Sequence, residues 1–409
     1  MSDPADLVYA PIADQTVAMA RGAPSATAVV EALLARIDRK QPKLNAFVTV
    51  THDNTRARVK EVEAELTGGG SRGPLHGVPF AVKDVIDTAG IRTTHGATIY
   101  RDRIPDRDAA VVERLRAAGA VMLGKLHTAE LANAFLAEAA FNGPCMNPWD
   151  STRETGSSSS GPACAVAAGL VSFAIGSEIM GSIDHPAAYC GVTGYRPTYG
   201  RVSRFGTLEQ SPTMEKLGVL ARRAADCRAV LSAIAGQDPR DPTTIDPPAA
   251  APRPIRGLRL GVLPMPADVP EPAIAKAFTD AGRAFVDAGV ELVPITLPAF
   301  PSGAVAAVII VAEIFCFLEE LIQSGAVYKL TNGKTWRNDL DAMGITGADY
   351  VKAQRVRAQL QAAYRDLFGA VDAILCHGRP NIAEKRGAKP AFDDTDTPFQ
   401  ELLAAGNLA

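Results

Sequence analysis

Between Asp14 and about Thr67, apolar residues recur three and four positions apart: Val29, Leu33, Leu34 and Ile37 form one stripe, and Val59, Val62 and Leu66 another. This is the 3.6-residue period of a helix with one buried face, so the spacing predicts two amphipathic helices, and residues 1–67 read as an N-terminal helical cap. From Pro74 the texture changes to short apolar runs broken by glycine, among them "VPFAVKDVID", "AVMLGKL" and "ACAVAAGLVSFAIGSE", with the helix-like "AAVVERLRAAG" between the first two. Strand-like runs alternating with helix-like ones predict α/β layers.

The Pro-rich stretch "DPPAAAPRPIRG", Asp246 to Gly257, interrupts this alternation, which resumes with "LRLGVLP", "AIAKAFTDAGRAFVDAG" and "VELVPITLP". It reads either as a surface crossing or as a linker. The organisation expected is a single domain over 1–409, with a core over 74–245 and a second α/β part over 255–409. The longest apolar run, "AVAAVIIVAEIFCFLEELI" from Ala304, matches the roughly 20 residues of a membrane span. Glu313 in its middle makes insertion costly, so the run predicts a core helix or one lining a substrate channel, with no membrane as partner.

Composition narrows the function classes. The chain has 409 residues, 47% of them hydrophobic, enough for one large core or two ordinary ones. With 42 basic against 45 acidic residues the net charge is -3, which supplies no field to gather nucleic acid; a small molecule is the expected partner. Cys145, Cys164, Cys190, Cys227, Cys316 and Cys376 show no CxxC spacing, which fits reduced thiols in a cytoplasm. The acidic start "MSDPADLVYAPIADQ" lacks the basic head and apolar run of a signal peptide.

Several chemistries fail on spacing. GxSxG is absent, because Gly156, Ser158 and Gly161 are one residue too far apart, and no pair of histidines has HExxH spacing. Gly119, Gly124 and Lys125 have phosphate-loop spacing, but Leu126 follows where a magnesium-binding Ser or Thr belongs. Lys83, alone in "GVPFAVKDVID", reads in two ways. It is either paired with Asp84 or Asp87, or desolvated, in which case its lowered pKa makes it a base near neutrality.

Three stretches in order decide between these: "GVPFAVKD", "GSSSSGPACAVAAGL" and "GSEIMGSIDHPAAYCGVTGYRPTYGRVSR". Together they resemble the defining segments of the amidase signature family, a resemblance that runs from about Ala26 to the C-terminus. It implies a large mixed β-sheet sandwiched by α-helices, and a triad in which Ser182 is the nucleophile, Ser158 the bridging serine on a cis peptide bond, and Lys83 the base. The backbone N–H groups of Ile179, Met180, Gly181 and Ser182 are the implied oxyanion hole. No metal or organic cofactor is implied. Ser157, Ser159 and Ser160 are expected to hold the loop through backbone hydrogen bonds.

Departures from the family pattern qualify this. Met180 stands where glycine is usual, Asp184 replaces an arginine and precedes His185, and Glu178 replaces an aspartate. Asp184 is expected to repel carboxylate-bearing substrates and to raise the pKa of Lys83. Ser157, Ser160 and Pro162 alter the serine run, and the end, "PFQELLAAGNLA", is where relatives continue, so the C-terminal part reads as truncated. Cys190, His76 and His127 are expected to be structural, and Phe135, Leu136 and Met122 to build core. Three functions stay open: a small-molecule amidase acting on a carboxamide, ester or carbamate, a glutaminase subunit of a tRNA-linked amidotransferase, and a non-catalytic relative. An oligomer is compatible with each.

Overall fold

A computed structural model describes residues 3–133, 141–246, 253–266, 271–331, 344–388 and 397–408. Phe135 and Leu136 lie outside the described residues. The chain divides into two compact units, the first made of residues 1–210, 215–247 and 320–337, the second of 211–214, 248–319 and 338–409.

In the first unit the apolar stripes fold as their period predicts. Helix α1 covers Ile12–Ala20, α2 Ala26–Leu44 and α3 His52–Thr67, and the residues they bury include Val29, Leu33, Leu34 and Ile37 of α2 and Val59, Val62 and Leu66 of α3. Ser25 starts α2 by accepting the Ala28 N–H at 3.2 Å. Six strands form one mixed sheet: β1 (Phe47–Val50), β2 (Pro79–Lys83), β3 (Val121–Leu126), β4 (Phe173–Glu178), β5 (Thr193–Tyr195) and β6 (Lys216–Ala221), in the spatial order β1-β3-β2-β4-β6-β5.

Strands β2, β3, β4 and β6 are buried at every position, which is why their sequences run apolar without alternating. Strand β2 runs parallel to both β3 and β4, with Val82 opposite Ile175. Lys83 and Glu178 therefore end neighbouring strands that point the same way. The carboxyl ends of such strands are where α/β folds gather their chemistry. Helix α4 (Ala110–Ala117) precedes β3, and helix α5 (Ser160–Ala167), built of small residues, packs on β4 with every residue from Ser160 to Val166 buried. Pro162 lies in the first turn of α5, where a missing N–H removes no helical bond. Helices α6 (Asp184–Cys190) and α7 (Ala224–Ile234) follow β4 and β6.

In the second unit β7 (Arg259–Val262) lies between β8 (Glu291–Pro294) and β9 (Ala373–Leu375), all parallel, with α8 (Pro272–Asp287) connecting β7 to β8. These strands form a sheet of their own, separate from the six-stranded one. The long apolar run is helix α9, Ser302–Gln323. Its buried Glu313 accepts hydrogen bonds from the Ser211 and Thr213 hydroxyls, the Thr213 N–H and the Tyr350 hydroxyl, so the charge is matched inside the protein. No helix among the described residues is long and apolar enough to cross a membrane.

Candidate active site

Lys83 ends β2 with its side chain fully buried. Neither neighbouring carboxylate holds it. Asp84 accepts hydrogen bonds from the Thr94 N–H and hydroxyl and lies 4.0 Å from Lys125, while Asp87 forms a bidentate pair with Arg103 at 2.7 Å for both contacts. Lys83 Nζ instead donates to Ser158 Oγ at 2.8 Å, to Ser177 Oγ at 3.1 Å and to the Ser177 carbonyl at 3.3 Å. All three partners are uncharged: as an ammonium Lys83 donates to each, and as a neutral amine it keeps two N–H groups for Ser177 and turns its lone pair to the Ser158 hydroxyl.

The serine run forms the tight turn that enters α5. Gly156 takes φ +101, and a Cβ there would sit 2.5 Å from Pro186 Cα, so glycine is required at this approach. The four serines then diverge. Ser158 reaches Lys83, Ser159 Oγ donates to the Ser177 carbonyl at 3.1 Å, and Ser160 Oγ meets His127 Nδ1 at 3.0 Å. Ser157 Oγ lies 3.0 Å from Ser182 Oγ. Only Ser159 matches the expected backbone role, because the hydroxyls of Ser157 and Ser160 bind side chains.

Two implied details are corrected. The peptide bond before Ser158 is trans, since the cis bond among the described residues is Ala23–Pro24. The hydroxyls of Ser157 and Ser158 also find different partners. The contact expected between Ser158 and Ser182 is thus divided: Ser158 meets the lysine, and Ser157 meets the nucleophile candidate. The departure of Ser157 from the family run was the available signal for its role. Ser177, which meets Lys83 twice, carried none.

Ser182 follows β4 on a turn held by Glu178, whose Oε2 accepts the N–H groups of Ile183 at 2.6 Å and Asp184 at 3.1 Å. A carboxylate at the first turn of α6 also meets the positive end of the helix. Arg196 Nε lies 3.6 Å from the other oxygen. The Ser159 N–H donates to the Ser182 carbonyl at 3.2 Å, fastening the turn around Ser182 to the serine loop. Positive φ falls on Gly181, at +84, and not on Met180, so the methionine sits there without backbone strain. The N–H groups of Ile179, Met180, Gly181 and Ser182 donate to no acceptor among the described residues.

Burial is the largest influence on Lys83 and lowers its pKa from 10.5 to about 7. Glu215 and Glu178 oppose this by favouring the charged form. Glu215, itself fully buried, is raised to about 7 mainly by desolvation.

The other candidates are structural. Lys125 donates to the Ile86 carbonyl and to the Thr93 and Thr88 hydroxyls at 2.8 and 3.3 Å, and nothing of it is left for phosphate. His127 Nε2 donates to the Gly143 carbonyl at 2.8 Å, and burial lowers its pKa to about 4. His76 contacts Glu65 at 3.1 Å, Met122 is buried in β3, and Cys190 is a buried thiol whose pKa burial pushes up. In the second unit α9 lines a largely apolar cavity of about 710 Å³ with Val311, Ala312, Phe315 and Cys316.

Lys83, Ser157, Ser158, Ser177 and Ser182 thus meet near the carboxyl ends of β2 and β4, beside backbone amides that donate to no acceptor among the described residues. The Amidase family model matches residues 28–402, and the chain belongs to the amidase family, whose members hydrolyse carbon–nitrogen bonds of linear amides. A glutamyl-tRNA(Gln) amidotransferase subunit from Anaeromyxobacter dehalogenans (strain 2CP-C) is 36% identical over 438 aligned residues, which cover 99% of this chain and 87% of that one. A solved structure of a vestigial protein complex that reveals the evolutionary origins of an s-triazine catabolic enzyme matches with a TM-score of 0.85 at 32% identity, covering 97% of this chain and 89% of the other. The peptide amidase from Stenotrophomonas maltophilia matches with a TM-score of 0.77 at 29% identity, covering 97% and 88%.

Proposed function

We propose that the chain cleaves an amide through an acyl-enzyme on Ser182, with Lys83 as base and Ser158 as bridge. The observation that carries this reading is the Lys83–Ser158 contact of 2.8 Å in a buried site where no carboxylate among the described residues bonds the amine. Serine is too weakly acidic to attack an amide unaided. Neutral Lys83 takes the Ser158 proton as Ser158 takes that of Ser182, and Ser182 Oγ bonds to the carbonyl carbon. The resulting oxyanion is received by the amides of residues 179–182. Collapse breaks the C–N bond while the proton returns through Ser158 to the leaving amine. Water then repeats the sequence and releases the carboxylic acid.

The test is Lys83→Ala assayed on an aryl amide and the matching ester. Amide cleavage should fall about 10²- to 10⁴-fold and ester cleavage less, because the poorer leaving group needs the returned proton. Equal losses refute the relay.

The curated relatives favour a particular form of this chemistry: release of ammonia from glutamine, as one component of a multi-subunit amidotransferase. The 36% identity over 99% of the chain supports that reading over a free-standing small-molecule amidase. Asp184, beside the nucleophile turn, weighs against the carboxylate of free glutamine. Ammonia release from glutamine, measured alone and with the other amidotransferase subunits, tests it against short aliphatic and aryl amides.

A further inference from the structure

The site holds its nucleophile through a residue that the relay does not use. Ser157 is buried, and its one side-chain hydrogen bond among the described residues is the 3.0 Å contact with Ser182 Oγ. Lys83 is reached by Ser158 and Ser177, not by Ser157. A proton passed from Ser182 to Ser157 thus has no onward acceptor. The contact is a closed end, and the Ser182 hydroxyl must exchange Ser157 for Ser158 before its proton can reach the lysine.

We propose that Ser157 is a positioning residue that holds Ser182 in a resting orientation and lowers its reactivity until that exchange occurs. The inference rests on Ser182 being the nucleophile. The geometry around the pair supports a hold of this kind. Gly156 fixes the turn before Ser157 by its approach to Pro186, and the Ser159 N–H anchors the Ser182 carbonyl at 3.2 Å. The backbones on both sides of the contact are therefore fastened, and rotation of the Ser182 side chain is the freedom that remains. One hydrogen bond lost from the resting state and absent from the reacting state raises the rate about five-fold.

The experiment follows covalent labelling of the full chain by an alkyl fluorophosphonate, in which the Ser182 Oγ–P bond forms, the P–F bond breaks, and the serine proton passes to the base. Ser157→Ala should label about five-fold faster than the unaltered protein, with the same dependence on pH. Ser157→Gly should behave alike, and Ser157→Thr, which keeps the hydroxyl, should restore the slow rate. Ser158→Ala should be slowed about 10²-fold or more. An unchanged rate in Ser157→Ala and Ser157→Gly overturns the hold, and slowing as deep as that of Ser158→Ala places Ser157 on the proton route instead. Failure of the unaltered protein to label at Ser182 overturns the nucleophile assignment itself, a result separable from either.

Discussion

The reactivity of Ser182 should follow the protonation of Lys83. Only the neutral amine accepts a proton, and burial brings its pKa from 10.5 to about 7. At pH 7 about half of the lysine is then neutral, against roughly 0.03% for an unperturbed one, a gain of about 10³-fold in the competent form. Because the base form is active, the rate rises with pH and then levels, and the rise is broadened because Glu215, raised to about 7, loses its proton over the same range. The assay is the pH dependence of fluorophosphonate labelling at Ser182, which needs no knowledge of the substrate. A tenfold rise centred near pH 7 is expected. Since Glu215 favours the charged lysine, Glu215→Gln should move the rise to lower pH. A flat profile from pH 6 to 9, or a rise centred near 10, refutes the buried base.

Further perturbations test the scaffold. Glu178→Ala strips the Ile183 and Asp184 amides of their acceptor; about 1–3 kcal/mol of stability should be lost in denaturant unfolding, and labelling of Ser182 should slow as the turn loosens. Gly156→Ala sets a Cβ against Pro186 at a backbone angle that alanine resists; it should cost at least about 1–3 kcal/mol, read by thermal melting, and abolish labelling. A Gly156→Ala protein as stable and reactive as the unaltered one would show that the turn is not fixed as described.

Much of the site was legible because its signals are local. The apolar strand by itself left Lys83 open between pairing with Asp84 or Asp87 and desolvation, and the fixed motifs read together pointed to the second; Lys83 is buried and bound to Ser158 and Ser177. The glycines and serines of residues 156–161 mark a tight turn before a small-residue helix, which is α5. Hydrogen-bond partners were less legible, since they depend on how the strand ends meet. Asp84, adjacent to Lys83 but in the turn past the end of β2, bonds Thr94 and lies near Lys125. Glu215, far along the chain, acts on Lys83 only because β2, β4 and β6 lie side by side.

The sequence by itself determined the helical stripes of the N-terminal region, the buried strands, the family, and the residue types able to do the chemistry. Each follows from a local period or a fixed motif. Tertiary structure alone decided that Ser157 rather than Ser158 meets Ser182, that Ser177 completes the surroundings of Lys83, and that positive φ falls on Gly181 and spares Met180. A hydroxyl bonds whatever the packed backbone brings within about 3 Å, and adjacent serines on one turn point in different directions. Which of them touches Ser182 is therefore fixed by the turn between β4 and α6, which the serine run does not encode.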